Sequence, residues 1–196
     1  MLLADLFEYL PTLLSLLAFV VAARHVVRGT FAPEPVSRGM WMVISGIALL
    51  LLIQTSSESA AIPLGIGLFS GSVLLFVLSL RTAVFHWHKD DFVAIGGAVA
   101  CLIVWFLTGS PFIALIAILG TDLLAFIPTY AKVWHTPLTE DRVFWSMLLI
   151  ASSVSMFDLF VFRGFELSNL LYNSYFVITQ ASMLGFISFK RRQGAS

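Results

Sequence analysis

The chain has 196 residues, of which 59% are hydrophobic and 11% charged, and its eleven Lys and Arg are balanced by eleven Asp and Glu. So apolar a composition excludes an ordinary soluble domain and describes a polytopic membrane protein. The zero formal net charge gives no sign of a nucleic-acid partner, and the length leaves room for about seven helices of about 20 residues with no separate soluble domain.

In chain order, the apolar stretches predict spans over 4–24, 39–55, 60–81, 92–109, 111–132, 143–162 and 167–189. The first has no basic n-region and carries Asp5 and Glu8 before its apolar run, so it reads as a retained span rather than a signal peptide. Arg24, Arg28 and Arg38 belong to the first loop, Arg81 and Lys89 to the third, Lys132 and Arg142 to the fifth, and Lys190, Arg191 and Arg192 to the tail. Among the even loops only the sixth holds a base, Arg163, so ten of the eleven bases fall on one side. Cytoplasmic loops collect Lys and Arg, which predicts an N-terminus outside and a C-terminus inside in a multi-pass plasma (inner) membrane protein. Cys101 stands alone in the fourth span; it allows no intramolecular disulfide and reads as a small packing residue.

Two segments align without a gap at an offset of 104: Arg28-Gly-Thr-Phe-Ala-Pro33-Glu-Pro-Val-Ser-Arg38-Gly-Met-Trp41 and Lys132-Val-Trp-His-Thr-Pro137-Leu-Thr-Glu-Asp-Arg142-Val-Phe-Trp145. Base, Pro, Arg and Trp coincide, and each segment joins an inward-running helix to an outward-running one. The expected fold class is therefore all-α, with seven transmembrane helices in a 3+1+3 parallel repeat of triple-helix bundles. Residues 1–84 would form the first bundle, 85–110 an inverting linker helix, and 111–196 the second bundle with its basic tail. Parallel repeats of this kind are a transporter architecture. The bland reading is that any inside loop places bases near its ends and a Trp at the interface. A competing match of Asp5…Pro11-Thr12 to Asp122…Pro128-Thr129 has an offset of 117, but it pairs a proline near one surface with a proline near the other.

The run Asp122-Leu-Leu-Ala-Phe-Ile-Pro128-Thr129-Tyr-Ala-Lys132 resembles the PQ-loop superfamily, which includes the SWEET sugar transporters, the half-size SemiSWEETs and the bacterial nicotinamide riboside transporters. The resemblance implies a 3+1+3 fold with the N-terminus outside, alternating access, and a hinge at Pro128. Thr129 stands where the family pattern has Gln, and Arg24 stands where the first half would carry the proline. The family also places an Asn on the third helix of each bundle against the substrate. Asn173 is the candidate in the seventh span, and residues 60–84 contain no Asn.

Depth can be measured from the bases. Ten residues back from Lys132, about 15 Å or half the hydrocarbon thickness, lies Asp122; the same step from Lys190 reaches Gln180, and from Arg81 reaches Gly71, between Ser70 and Ser72. Ten residues forward from Arg142 come Ser152 and Ser153. An Asp at a helix centre costs about 2.5–3.5 kcal/mol to insert, so Asp122 is expected to face the protein interior. With no Lys or Arg at its depth, it suits a proton-coupled role or a hydrogen bond to a substrate hydroxyl; the alternative is a protonated Asp that only holds helices together. Asn169, Asn173 and Gln180 fall within about 40° of one helix face, with Tyr172 and Tyr175 beside them. They line a substrate path, or they serve as interhelical glue. Asp158 and Arg163 read as an interfacial pair five residues apart, away from ideal helical spacing.

Other chemistries find little support. His86-Trp-His88-Lys-Asp90-Asp91 with His135 has metal-ligand residue types at unspecific spacing, and reads as a solvated loop. All four histidines lie in loops, away from any nucleophile for a hydrolase, and no Lys lies within the seventh span to hold retinal. No enzyme activity, cofactor or metal is expected. The expected function is transport of a small polar, sugar- or nucleoside-like solute by alternating access, proton-coupled through Asp122. The substrate-binding set is Asp122, Asn173, Gln180, Tyr172, Ser152 and Ser153, with Pro128 as hinge. The alternative is a non-transporting seven-helix scaffold or sensor. Expected partners are the solute and the bilayer, and the sequence is compatible with a homo-oligomer. A green fluorescent reporter fused after Ser196 should fluoresce in cells while alkaline phosphatase at the same place stays inactive; the reverse pattern would overturn the orientation.

Overall fold

A computed structural model describes residues 2–31, 33, 35–55, 61–82 and 89–193, and no strand occurs among them. The chain forms helices α1 (Leu2–Val27), α2 (Pro35–Thr55), α3 (Ala61–Thr82), α4 (Lys89–Thr108), α5 (Pro111–His135), α6 (Arg142–Asp158) and α7 (Leu167–Gln193). A 3-10 turn (Pro137–Thr139) precedes α6, and a π-helical turn (Leu159–Arg163) follows it. Among the described residues six helices, α1, α2, α3, α5, α6 and α7, are long and apolar enough to cross a membrane, as a multi-pass membrane protein requires. Several overrun the apolar stretches by a turn: the 26 residues of α1 make about 39 Å at 1.5 Å per residue, beyond a hydrocarbon core of about 30 Å.

The ends follow local chemistry. Only Gly109 and Ser110 separate α4 from α5; Gly109 takes φ 61°, which glycine adopts without a Cβ penalty. Ser110 then caps α5, its hydroxyl accepting from the Ile113 amide, with Pro111 at the first helical position where its missing N–H is harmless. Asp141 caps α6 by accepting from the Val143 amide at 2.8 Å.

The packing has a simple plan. Helix α3 packs against both α1 and α2, and α7 against both α5 and α6. Across the two groups, α1 lies on α6 and α2 on α5, while α4 lies mainly against α5. Exchanging α1 with α5, α2 with α6 and α3 with α7 returns the same set of contacts, with α4 left over.

Small residues set the closest approach, as expected where helices meet without a hydrophobic driving force from water. A Cβ on Gly67 of α3 would meet the Ser15 side chain and stand 3.1 Å from the Thr12 carbonyl oxygen of α1. A Cβ on Gly71, one turn on, would fall on the Phe19 ring. The Thr12 hydroxyl also donates to the Pro63 carbonyl oxygen, so α1 and α3 are joined by backbone contact as well as side chains.

Ion pairs record how the ends are arranged. His25 near the end of α1 meets Asp141 at the start of α6, and Arg163 beyond the end of α6 meets Glu8 near the start of α1 at 2.7 Å. The ten bases of the odd loops and tail therefore gather at one end of the helices, and Arg163 lies at the other. Pro11 lies near the Arg163 end and Pro128 near the basic end, so the 117-residue match joins positions at opposite depths. Gly71→Leu should lower the thermal midpoint of the detergent-purified protein, with a cost of about 1–3 kcal/mol for overpacking; Leu74→Ala on the exposed side of α3 should move it little.

Candidate functional site

A partly open cavity of about 60 Å³ lies between α1, α2, α3, α5, α6 and α7. A water needs about 10–15 Å³ of such space, so there is room for several waters or a small solute group. Most of the wall is apolar, with Phe19, Trp41, Phe126, Phe144, Trp145 and Phe176 as its aromatic part. The polar wall consists of Asp122, Gln180, Ser45, Ser72 and Arg38. A mainly apolar pocket with a few convergent polar groups is the usual form of a small-molecule site.

Asp122 and Gln180 reach the cavity from α5 and α7 with their orientation held. The Tyr175 hydroxyl donates to Asp122 Oδ2 at 2.6 Å, a short hydrogen bond of the charge-assisted kind. The Ser152 hydroxyl donates to Gln180 Oε1 at 2.8 Å, which leaves the Gln180 amide N–H₂ as its remaining hydrogen-bonding group. Asp122, Gln180 and Ser152 are all buried. They sit at the depth measured from the flanking bases.

The other expected residues lie elsewhere. Asn173 and Tyr172 are fully buried, yet neither belongs to the cavity wall, and neither the Asn173 amide nor the Tyr172 hydroxyl finds a hydrogen-bond partner among the described residues. Ser153 is exposed on the outer face of α6 and bonds back to the Leu149 carbonyl oxygen at 2.7 Å. The reason is geometric: successive helical residues are about 100° apart, so a buried Ser152 turns Ser153 outward. Asn169 bonds to Glu166 at 2.8 Å. The backbone of α5 runs unbroken through Pro128, whose side chain lies outside the described residues.

Two features were not foreseen. Tyr175 serves Asp122 as a hydrogen-bond donor rather than as a stacking ring. Arg38, placed at the membrane edge by counting residues, is 4% exposed and reaches into the cavity wall. Its guanidinium lies 4.7 Å from the Trp41 ring centre, 5.2 Å from that of Phe31 and 5.9 Å from that of Phe144, a cation held on aromatic faces. Asp158 and Arg163 do pair, at 2.9 Å, because the π-helical turn between them brings residues five apart onto one face.

Beyond the cavity on the basic side, Glu140 is buried and holds the second group of helices together. Its carboxylate accepts from Lys132 Nζ at 2.9 Å and Trp145 Nε1 at 3.2 Å, and its carbonyl oxygen accepts from Arg191 of α7 at 2.6 Å. No group of three or more His, Cys, Asp or Glu able to hold a metal ion occurs among the described residues; His86 and His88 lie outside them.

A scan against protein-family models gives no match to the chain, and a search of curated proteins gives none. Ser152→Ala removes the donor to Gln180 and should lower stability modestly, by about 0.6 kcal/mol if it behaves as an average interhelical hydrogen bond in a membrane. Thermal unfolding of the purified variant reads this directly.

Proposed function

We propose that this protein is a multi-pass transporter of a small polar solute, working by alternating access between two three-helix halves in the plasma (inner) membrane. The observation that carries this reading is the cavity: it lies where the two groups of helices meet, reaching from mid-helix toward the basic end, and Asp122 and Gln180 open onto it. In this reading α1–α3 and α5–α7 are related halves, and α4 is a seventh span that inverts the chain between them. Adding 104 to the helix bounds supports the relation, carrying α1 onto 106–131, α2 onto 139–159 and α3 onto 165–186, over α5, α6 and α7. Register-related residues also share the cavity wall: Trp41 and Trp145, whose ring centres are 6.2 Å apart, and Ile44 and Leu148, which both line it. The N-terminus is outside and the C-terminus inside, by the positive-inside rule.

Asp122 couples transport to protons in this reading, since a carboxyl at mid-depth is expensive unless it serves such a purpose. A sugar- or nucleoside-like solute and a hinge at Pro128 follow from the PQ-loop resemblance. The scaffold or sensor reading is favoured by a different observation: the seam between α1 and α6 is closed at both ends, by His25–Asp141 and by Glu8–Arg163.

Uptake into proteoliposomes separates the two. Asp122→Asn should keep the folded thermal transition but lose the dependence of uptake on an imposed pH gradient, with a fall of tenfold or more in gradient-driven rate. Gradient-driven uptake unchanged by Asp122→Asn would sink the coupling role, and absence of saturable uptake for any solute that stabilises the wild type would favour the scaffold.

A further inference from the structure

Between the cavity and the Arg163 end of the helices, buried polar atoms collect at one depth. Five buried side-chain polar atoms lack a hydrogen-bond partner among the described residues, and four of them are Asp158 Oδ1, the Tyr172 hydroxyl and both amide atoms of Asn173. Asp158 is 1% exposed, and Tyr172 and Asn173 are fully buried. The Ser152–Gln180 bond sets α6 against α7, and these helices run in opposite directions. Asp158 lies six residues, about 9 Å, outward from Ser152, and Asn173 lies seven residues, about 10 Å, outward from Gln180. The two therefore stand at nearly the same level. Tyr172 leaves the same turn of α7 toward the first group of helices, where a Cβ on Gly65 of α3 would stand 3.4 Å from its hydroxyl oxygen. Its ring centre is 4.8 Å from that of Phe176, which lines the cavity. Asp158 serves both sides of this level. Its Oδ2 accepts from Arg163, which also meets Glu8 at the outer end, while its Oδ1 is buried without a partner.

Such atoms are costly where hydrocarbon supplies no partner, and together they offer the donors and acceptors that bound water needs. We propose that Asp158, Asn173 and Tyr172 hold a short file of waters that carries protons from the outer ion pairs to Asp122. This rests on the transport reading, in which Asp122 takes the coupling proton, and it gives that proton its entrance. The cavity reaches Asp122 from mid-helix toward the basic end, so a proton from the other side needs a route of its own. At each step one O–H bond forms as another breaks. The water beside Asp158 Oδ1 accepts a proton and passes one of its own inward, and the last member hands a proton to the Asp122 carboxylate, which becomes the acid. The Tyr172 hydroxyl accepts from one water and donates to the next. The Asn173 amide orients the waters and keeps its own hydrogens. Few charged or titratable groups face this route. Glu8 and Arg163 stand at its outer end, Glu166 bonds to Asn169, and Asp122 with Tyr175 closes the inner end. Residues 45–55 of α2 and 61–72 of α3 carry none. Ionisable groups at membrane depth commonly mark such relays.

Proteoliposomes of the full chain loaded with the pH dye pyranine test this without any solute. A potassium diffusion potential set by valinomycin, negative inside, should acidify their lumen faster than that of protein-free vesicles. Asp122→Asn should abolish the difference. Asn173→Leu and Tyr172→Phe, which remove the amide and the hydroxyl and keep most of the shape, should each slow this acidification about tenfold. Neither should lower the thermal midpoint, because the groups removed bond to no described residue; a purely structural role would lower it. No protein-dependent acidification overturns the assignment, as does acidification that both variants leave unchanged, whatever happens to the thermal midpoint. Proton entry with these dependences but no solute uptake would keep the water file and sink transport. Gradient-driven uptake indifferent to both variants would keep transport and sink the water file.

Discussion

Hydrocarbon offers no hydrogen-bond partner, and the rest of this structure is arranged around that fact. Polar groups between the helix ends gain most by being met inside the protein, so those that are bonded there help decide which helix faces turn inward. Asp122 is met by Tyr175, Gln180 by Ser152 and Glu140 by Lys132 and Trp145. Each of these bonds joins two different helices or a helix and its neighbouring turn. The polar groups thus fix the rotation of α5, α6 and α7, while the exposed faces carry residues such as Leu123, Ile127 and Ile178.

The two groups of helices hold together by different means. Between α1 and α3 the contact is mainly steric, through Gly67 and Gly71 against Ser15 and Phe19, with one hydrogen bond from Thr12 to the Pro63 carbonyl oxygen. Between α5, α6 and α7 it is polar, through the bonds of Glu140, Gln180 and Asp122. A pair of related halves would thus have kept one architecture and divided the chemistry unequally. The cavity inherits this imbalance. Its carboxyl and amide come from the second group, its guanidinium and an indole N–H without an acceptor among the described residues from the first, and aromatic rings from both.

The seams between the groups also differ. Where α1 meets α6, ion pairs stand at both ends, and Phe7 packs on Phe157 at 5.1 Å between ring centres. Where α2 meets α5, the Trp41–Phe126 pair packs beside the cavity at 5.4 Å between ring centres.

Much of this was legible in the residues. Long apolar runs place the helices, because only helices satisfy their own backbone in a bilayer, and the bases mark the helix ends because charges stay near water. Counting from those ends located Asp122, Gln180 and Ser152 at one depth; the structure puts Asp122 and Gln180 on the cavity wall, with Ser152 bonded to Gln180. What counting could not reach was direction around the helix and the reach of a side chain. Ser153 shares the depth of Ser152 but faces outward, Asn173 is buried away from the cavity wall, and Arg38 begins at the membrane edge yet bends along Trp41 into the interior. The Asp158–Arg163 pair needed a π-helical turn that no spacing rule announces. Depth is a property of sequence position along a straight helix, and the amino-acid order alone determined it. Which faces meet, and therefore which polar groups share a cavity, depends on how seven helices pack at once, and only the tertiary structure decided that.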